Sequence, residues 1–182
     1  MPLSMWLVST CDSAPEILRV LHNCPAINVA GIVVRRSVVS PNELRVFRPH
    51  DPWEAALLSG PPVDVLLCAG YPKKISRQVL THCLLGGFNI HPSLLPLYPG
   101  RMPRLQIFGD QYPWAGVSIH RLTDVLDGGP IVLQFRVAMQ LSYSIEELIQ
   151  QEEWLTVLAV TAFANLLMPH RVIASVPQDR WT

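Results

Sequence analysis

This sequence of 182 residues predicts an α/β fold: a Rossmann-like, mostly parallel sheet with helices on both faces. Three observations carry the prediction. Short, nearly all-apolar runs rich in Val, Ile and Leu alternate with segments of helical period through the first part of the chain. Each run is bounded by Pro, Asn or Gly, as strands buried on both faces are. From about residue 115 the runs lengthen and alternate in polarity, which marks strands that are partly antiparallel.

The elements follow in order. MWLVST (5 to 10), INVAGIVV (27 to 34) and VDVLLCAG (63 to 70) read as buried strands. Between the first two lies SAPEILRVLH, a helix with Ser13 as N-cap, Pro15 in its first turn and Ile17, Leu18 and Leu21 at helical spacing. Strand, helix, strand implies parallel pairing through a right-handed crossover. ELRVF (43 to 47) adds a strand, and PWEAALLSG a short helix ended by Gly60. KISRQVLTHCLLGG reads as a further helix with Gly86-Gly87 as its stop, followed by FNIH as a short strand. In a strand, Asn89 and His91 point to the same face. AGVSIHRL (115 to 122) and GPIVLQFRVAM (129 to 139) are the alternating strands. A long helix from about Ser144 to Met168 closes the pattern, opened by a capping box of Ser144 and Glu147.

Composition narrows the function. The chain is 49% hydrophobic and 15% charged, with 14 basic and 14 acidic residues, so no global field draws nucleic acid or an anionic membrane. No apolar run reaches the length of a membrane span. The four cysteines contain no C-x-x-C pair and read as buried free thiols, and with no leader pattern at the start a cytoplasmic setting is the expectation. The length fits a single domain over residues 1–182. His22, His50, His82 and His170 read as surface or helix-end residues, and nothing has metal-ligand spacing, so no metal is expected.

Chemistry concentrates in two stretches. In FNIHPSLLPLYPG (88 to 100), Asn89 and His91 end a strand, and Pro92 and Pro96 stiffen the chain that leaves it. Open α/β sheets bind ligands at such strand ends. In LTDVLDGGP, Asp124 and Asp127 precede a tight Gly128-Gly129-Pro130 turn, and His120 just upstream faces either the sheet or the site. Singly, an Asn-x-His at a strand end is a capped loop and D-G-G-P is an ordinary turn. Brought together they supply what acyl transfer to an amine requires. Asn polarises the carbonyl, His donates or shuttles a proton, and Asp orients His or accepts the proton of the amine.

N-I-H-P-S-L-L-P followed by Tyr98 and Gly100, then S-I-H at 118 to 120 and D-G-G-P-I at 127 to 131, resembles the folate-dependent formyltransferase family. The resemblance covers roughly residues 60 to 168 and implies that family's fold and activity. It implies 10-formyltetrahydrofolate as co-substrate and no metal. It also implies Asn89, His91 and Asp127 as the catalytic residues, with His120 supporting Asp127 from behind. Tyr71 and Ile75, in the segment from Ala69, and Thr123, Asp124 and Leu126, in the loop that closes over the ring, are implied to hold the pterin.

Departures from the family shape the expected acceptor. The ribonucleotide-utilising members have a Gly- and Ser-rich phosphate loop after the first strand, where this chain has Ser9-Thr10-Cys11-Asp12-Ser13. The tRNA-utilising members carry a further C-terminal β-domain, whereas this sequence stops soon after its long helix. The hydrolytic members have a second His where Pro92 stands. The expectation is therefore formyl transfer to a primary amine of a small metabolite: an amino sugar, an amino acid, or a nucleotide-linked or carrier-bound aminoacyl group. Arg101 is a candidate for binding the acceptor, with Arg104 beside it in what reads as a loop, and solvated surface charge is the alternative for both. The rivals are a formyltetrahydrofolate hydrolase and a non-catalytic folate-binding or scaffold protein. Neither nucleic acid nor membrane is an expected partner. The long helix bearing Trp154 is a candidate for pairing two copies into a homodimer.

Overall fold

The computed structural model describes residues 1–35, 44–167 and 173–180. Its elements are β1 (Leu3–Ser9), α1 (Ala14–His22), β2 (Ile27–Val34), β3 (Arg45–Phe47), α2 (Trp53–Leu58), β4 (Val63–Ala69), α3 (Arg77–His82), β5 (Cys83–His91), α4 (Pro103–Gly109), β6 (Trp114–Arg121), β7 (Ile131–Ala138) and α5 (Ile145–Leu167), with a 3-10 turn at Gln178–Arg180. The strands form one seven-stranded sheet in the order β3-β2-β1-β4-β5-β6-β7. Pairing is parallel from β3 to β5, and β6 runs antiparallel to both its neighbours. The expected α/β architecture is what the structure has. The predicted Glu43 and Met168 ends, and His170, lie outside the described residues.

Apolar alternation decides which face each helix covers. On one face Met5, Leu7, Val65, Leu67 and Phe88 pack with α1, α4 and α5. On the other, Trp6, Val8, Leu66 and Cys68 pack with Trp53 and Leu57 of α2 and Val79 of α3. Successive residues of one strand thus serve opposite cores, which is why these strands read as continuous apolar runs. The chain order turns outward from β1 to β3 and then restarts at β4 on the other side of β1. That reversal opens a crevice at the carboxyl ends of β1 and β4.

Two expectations change. The helix predicted through Gly87 ends at His82, and Cys83–Gly87 already belong to β5, with Val63 paired to Cys83 and Leu66 to Gly87. Pairing with β4 overrides the helical period of this stretch. A Cβ at Gly87 would stand 2.6 Å from Leu80 Cδ2, so that side-chain end would have to move. The stretch after the N-I-H-P motif, expected as loop, contains α4, with Pro103 in its first turn, so Arg104 is helical. Ser13 does stand before α1, but its side chain makes no cap hydrogen bond. Ser144 and Glu147 do form the capping box: Ser144 Oγ accepts from the Glu147 N–H at 3.1 Å and Glu147 Oε2 from the Ser144 N–H at 2.6 Å.

Candidate active site

Asn89 and His91 share one face at the carboxyl end of β5, and both line a cavity of ≈ 870 Å³. The antiparallel register with β6 sets His120 directly opposite Asn89. Asn89 Nδ2 lies 3.1 Å from His120 Nε2. His120 therefore faces the site and not the sheet alone, the alternative left open by sequence.

The third group arrives by a loop. Arg121 and Pro130 close its base through a hydrogen bond from the Arg121 N–H to the Pro130 carbonyl at 2.9 Å. A Cβ at Gly129 would run into the Arg121 carbonyl, so only glycine allows this closure. At the loop's end Asp127 adopts φ 51, a left-handed conformation that Asp tolerates better than most residues. Its carboxylate, 7% exposed, comes to 3.6 Å from His91 Nδ1 and 3.5 Å from His120 Nε2. The Gly100 N–H donates to Asp127 Oδ2 at 2.9 Å, so the tight turn after the proline-rich stretch reaches the site as well.

Electrostatics follow from these contacts. Burial alone would raise the Asp127 carboxyl, but the hydrogen bond toward His120, the charge of His91 and the Gly100 N–H outweigh it and hold it below the ordinary carboxylate value. Burial also pushes the His91 imidazole below its ordinary value, against the opposing pull of Asp127 and the Tyr98 carbonyl. His91 Nε2 stands 2.9 Å from that carbonyl, which can only accept, so this nitrogen carries the proton and Nδ1 faces Asp127. By the same logic His120 Nδ1 donates to the Arg121 carbonyl at 3.0 Å. Its Nε2 then accepts from Asn89, with Asp127 Oδ1 3.5 Å away. The Asn89 amide then has a second N–H free for the cavity.

The remaining expected residues lie along the same cavity. Tyr71, Ile75, Thr123, Asp124 and Leu126 line it, joined by Leu80 and Leu122. Ile75 is buried, and Tyr71 receives a hydrogen bond from Trp53 Nε1 at 3.1 Å. Leu126, in contrast, is 69% exposed at the rim. Arg101 reaches across the mouth to the Pro72 carbonyl at 3.4 Å. Trp154 is half exposed on α5 and away from this cavity. Cys24, Cys68 and Cys83 are buried, Cys11 is half-buried, and all four are free. Among the described residues no group of three or more His, Cys, Asp or Glu could hold a metal ion.

Sequence reasoning missed one contributor. Gln178 Nε2 donates to the carbonyls of Asp127 and Gly129, pinning the Asp127–Gly129 turn from the chain's last described segment. That segment is itself tied down by a bridge between Val176 and Ile131. No motif marks Gln178, and only the fold brings it within reach.

A formyl transferase family model matches residues 30–172. Over 74 residues the chain is 42% identical to the phosphoribosylglycinamide formyltransferase of Escherichia coli (strain K12), a match covering 41% of this chain and 35% of that protein. Over 76 residues it is 40% identical to the methionyl-tRNA formyltransferase of Thermotoga maritima, covering 42% of this chain and 24% of that one. The matches thus span about a third and a quarter of these relatives' lengths. The fold resembles glycinamide ribonucleotide transformylase 1 from Symbiobacterium toebii, with a TM-score of 0.71 and 23% identity over 96% of this chain and 94% of that one.

Proposed function

Because the chain belongs to the formyl transferase family, we propose that it transfers the formyl group of 10-formyltetrahydrofolate to a primary amine of a small metabolite. The observation that carries the reading is the meeting of Asn89, His91, His120 and Asp127, from two strands and a loop, on one cavity. Three groups set apart in sequence have no structural need to converge. The cavity's size suits a bicyclic ring with its tail, and its apolar flank at Ile75, Leu80 and Leu122 suits the ring's faces. Tyr71, Ile75 and the main chain of Thr123–Asp127 are the groups proposed to hold the ring; the bound folate supplies an activated formyl group.

Asn89 directs its free N–H at the formyl oxygen, where charge builds as the amine attacks. Asp127, ionised at neutral pH, takes the proton that the attacking amine loses, and as the bond between the formyl carbon and the folate nitrogen breaks, that proton passes by way of His91 or His120 to the departing nitrogen. The acceptor is an amine on an amino sugar, an amino acid, or a nucleotide-linked or carrier-bound group. Arg101 is proposed to hold it at the mouth. The free thiols and neutral charge support a cytoplasmic setting without nucleic acid as partner.

The test is a panel of primary amines with 10-formyltetrahydrofolate, read by mass spectrometry for addition of one formyl group, beside formate release with no amine. Transfer predicts formylated amine and little formate. Rapid formate release in every condition would identify a hydrolase, and folate binding with neither product a non-catalytic binder. Asn89→Ala is expected to slow transfer by roughly 10²- to 10³-fold, the loss of one oxyanion donor.

A further inference from the structure

The cavity has two ends, and the reading above, on which this inference rests, gives only one to the formyl donor. Tyr71, Ile75, Leu80 and Leu122 line the end that backs onto α2 and α3. The other end is bounded by Cys11 and Ser13 after β1, by the start of α4, and by Ile145 and Thr156 of α5. Asn89 and His91 lie between the two sets of elements, at the end of β5. An acceptor that reaches the formyl carbon opposite the folate occupies this second end.

Arg104 lines that end. Its Nε donates to Glu152 Oε2 at 2.5 Å, with Glu152 0% and Arg104 38% exposed. Glu152 Oε1 is buried with no hydrogen-bond partner among the described residues. Withdrawing a carboxylate from water and leaving one oxygen unpaired costs more than a single ion pair returns. Helix stability therefore does not account for Glu152. What the contact achieves is geometric: it grips the guanidinium at Nε and leaves the two terminal nitrogens without a hydrogen bond among the described residues. Such a fork, half open to the cavity, matches two oxygens of a carboxylate or a phosphate.

The surroundings fix where such an anion sits. A neighbouring groove between α1 and α5, of ≈ 420 Å³, carries Asp12, Glu16 and Glu153 beside Trp154 and borders the cavity at Ser13. The carboxylates of Glu16 and Glu153 disfavour an anion at the start of α1. Arg101, meanwhile, stays at the mouth of the cavity, where it donates to the Pro72 carbonyl. We propose that Arg104, positioned by the buried Glu152, selects acceptor amines that carry a carboxylate or phosphate group.

The experiment compares ω-amino carboxylates and ω-aminoalkyl phosphates of increasing chain length with their neutral amides and alcohols, using the full chain and 10-formyltetrahydrofolate. The anionic member of a pair should be favoured in kcat/KM by about 10- to 100-fold, the effect of a charge-assisted fork. The series with the larger preference tells carboxylate from phosphate. Arg104→Gln should bring the ratio toward one, and Glu152→Gln should act through KM for the anionic acceptor and not through kcat, as a positioning role requires. Equal use of both members by the wild type, or an unchanged preference in Arg104→Gln, would overturn the proposal. If Arg104→Gln does not fold, Arg104→Lys decides, since it keeps the charge beside Glu152 and loses the fork; an undiminished preference would refute the assignment. Titration with inorganic phosphate, followed at the Arg104 side-chain nitrogen by NMR, stands apart from turnover. A saturable shift in the wild type that weakens in Glu152→Gln supports the anion site even if no amine is formylated, in which case only the transfer reading falls. Absence of a shift counts against the site whatever the enzyme does with amines.

Discussion

At the scale of single residues the proposed chemistry centres on Asp127, and its backbone shows the cost. Asp127 and Tyr98 both sit in the left-handed region, with φ of 51 and 54, a strain of about 1–3 kcal/mol each that the surrounding contacts must offset. Both stand against His91, the Tyr98 carbonyl accepting from its Nε2 and the Asp127 carboxylate lying 3.6 Å from its Nδ1. Asn shares Asp's tolerance of this conformation, so Asp127→Asn separates charge from shape. It should fold with near wild-type melting temperature yet lose roughly 10²- to 10⁴-fold in kcat, the contribution of a positioned base. Wild-type turnover in this variant would remove Asp127 from the mechanism. The pH profile follows from two lowered values. His91 is neutral in the fold until below its ordinary 6.5, and Asp127 stays ionised until below its ordinary 3.8. Expressed per unprotonated amine, kcat/KM should therefore hold steady as pH falls from 7 to 6.5 and decline only beneath it, and an acid limb in that corrected profile centred at or above neutrality would contradict this assignment.

Elements position these residues with unequal help from the sequence. The capping box before α5 was legible because its signal is local: Ser144 and Glu147 satisfy each other's donors three residues apart. Ser144→Ala should cost about 1 kcal/mol, seen as a lower denaturation midpoint, with kcat little changed. The start of β5 was not legible, because Leu84 and Leu85 suit helix and strand alike and only pairing with β4 decides between them. Gln178 is the extreme case. Its function exists only through contacts to Asp127 and Gly129, 51 and 49 residues away in sequence. Gln178→Ala should lower kcat about tenfold by loosening that turn, while KM for 10-formyltetrahydrofolate stays near its wild-type value; an unaffected kcat would show that the turn holds itself.

At the scale of the whole molecule, one sheet with two cores brings the candidate residues to a single cavity. The alternation of apolar strands made the fold readable from sequence, and the resemblance of N-I-H-P and D-G-G-P to the family's motifs singled out Asn89, His91 and Asp127 as candidates. The pairing of Arg104 with Glu152 was not, since an Arg in an apparent loop and a Glu in a helix carry no mutual signal until α4 packs on α5. Glu152 also links stability to pH. Burial, only partly opposed by Arg104, pushes its carboxyl up to about 7. The unfolded chain releases this proton near the ordinary 4.5, so the stabilising contribution is full below 4.5 and is lost as pH rises through 7. Denaturant midpoints should therefore show a fall between pH 5 and 8 that Glu152→Gln flattens. A slope that persists in the variant would assign it to other groups.

The central claim, that Asn89, His91 and Asp127 converge on the carbon of a folate-borne formyl group, is tested most directly by a crystal structure with a non-hydrolysable 10-formyl folate analogue. The account predicts the ring between Ile75 and the Thr123–Asp127 loop, with the formyl oxygen within hydrogen-bonding distance of Asn89 Nδ2. A ring bound elsewhere, or a formyl group turned away from Asn89 and Asp127, would contradict it.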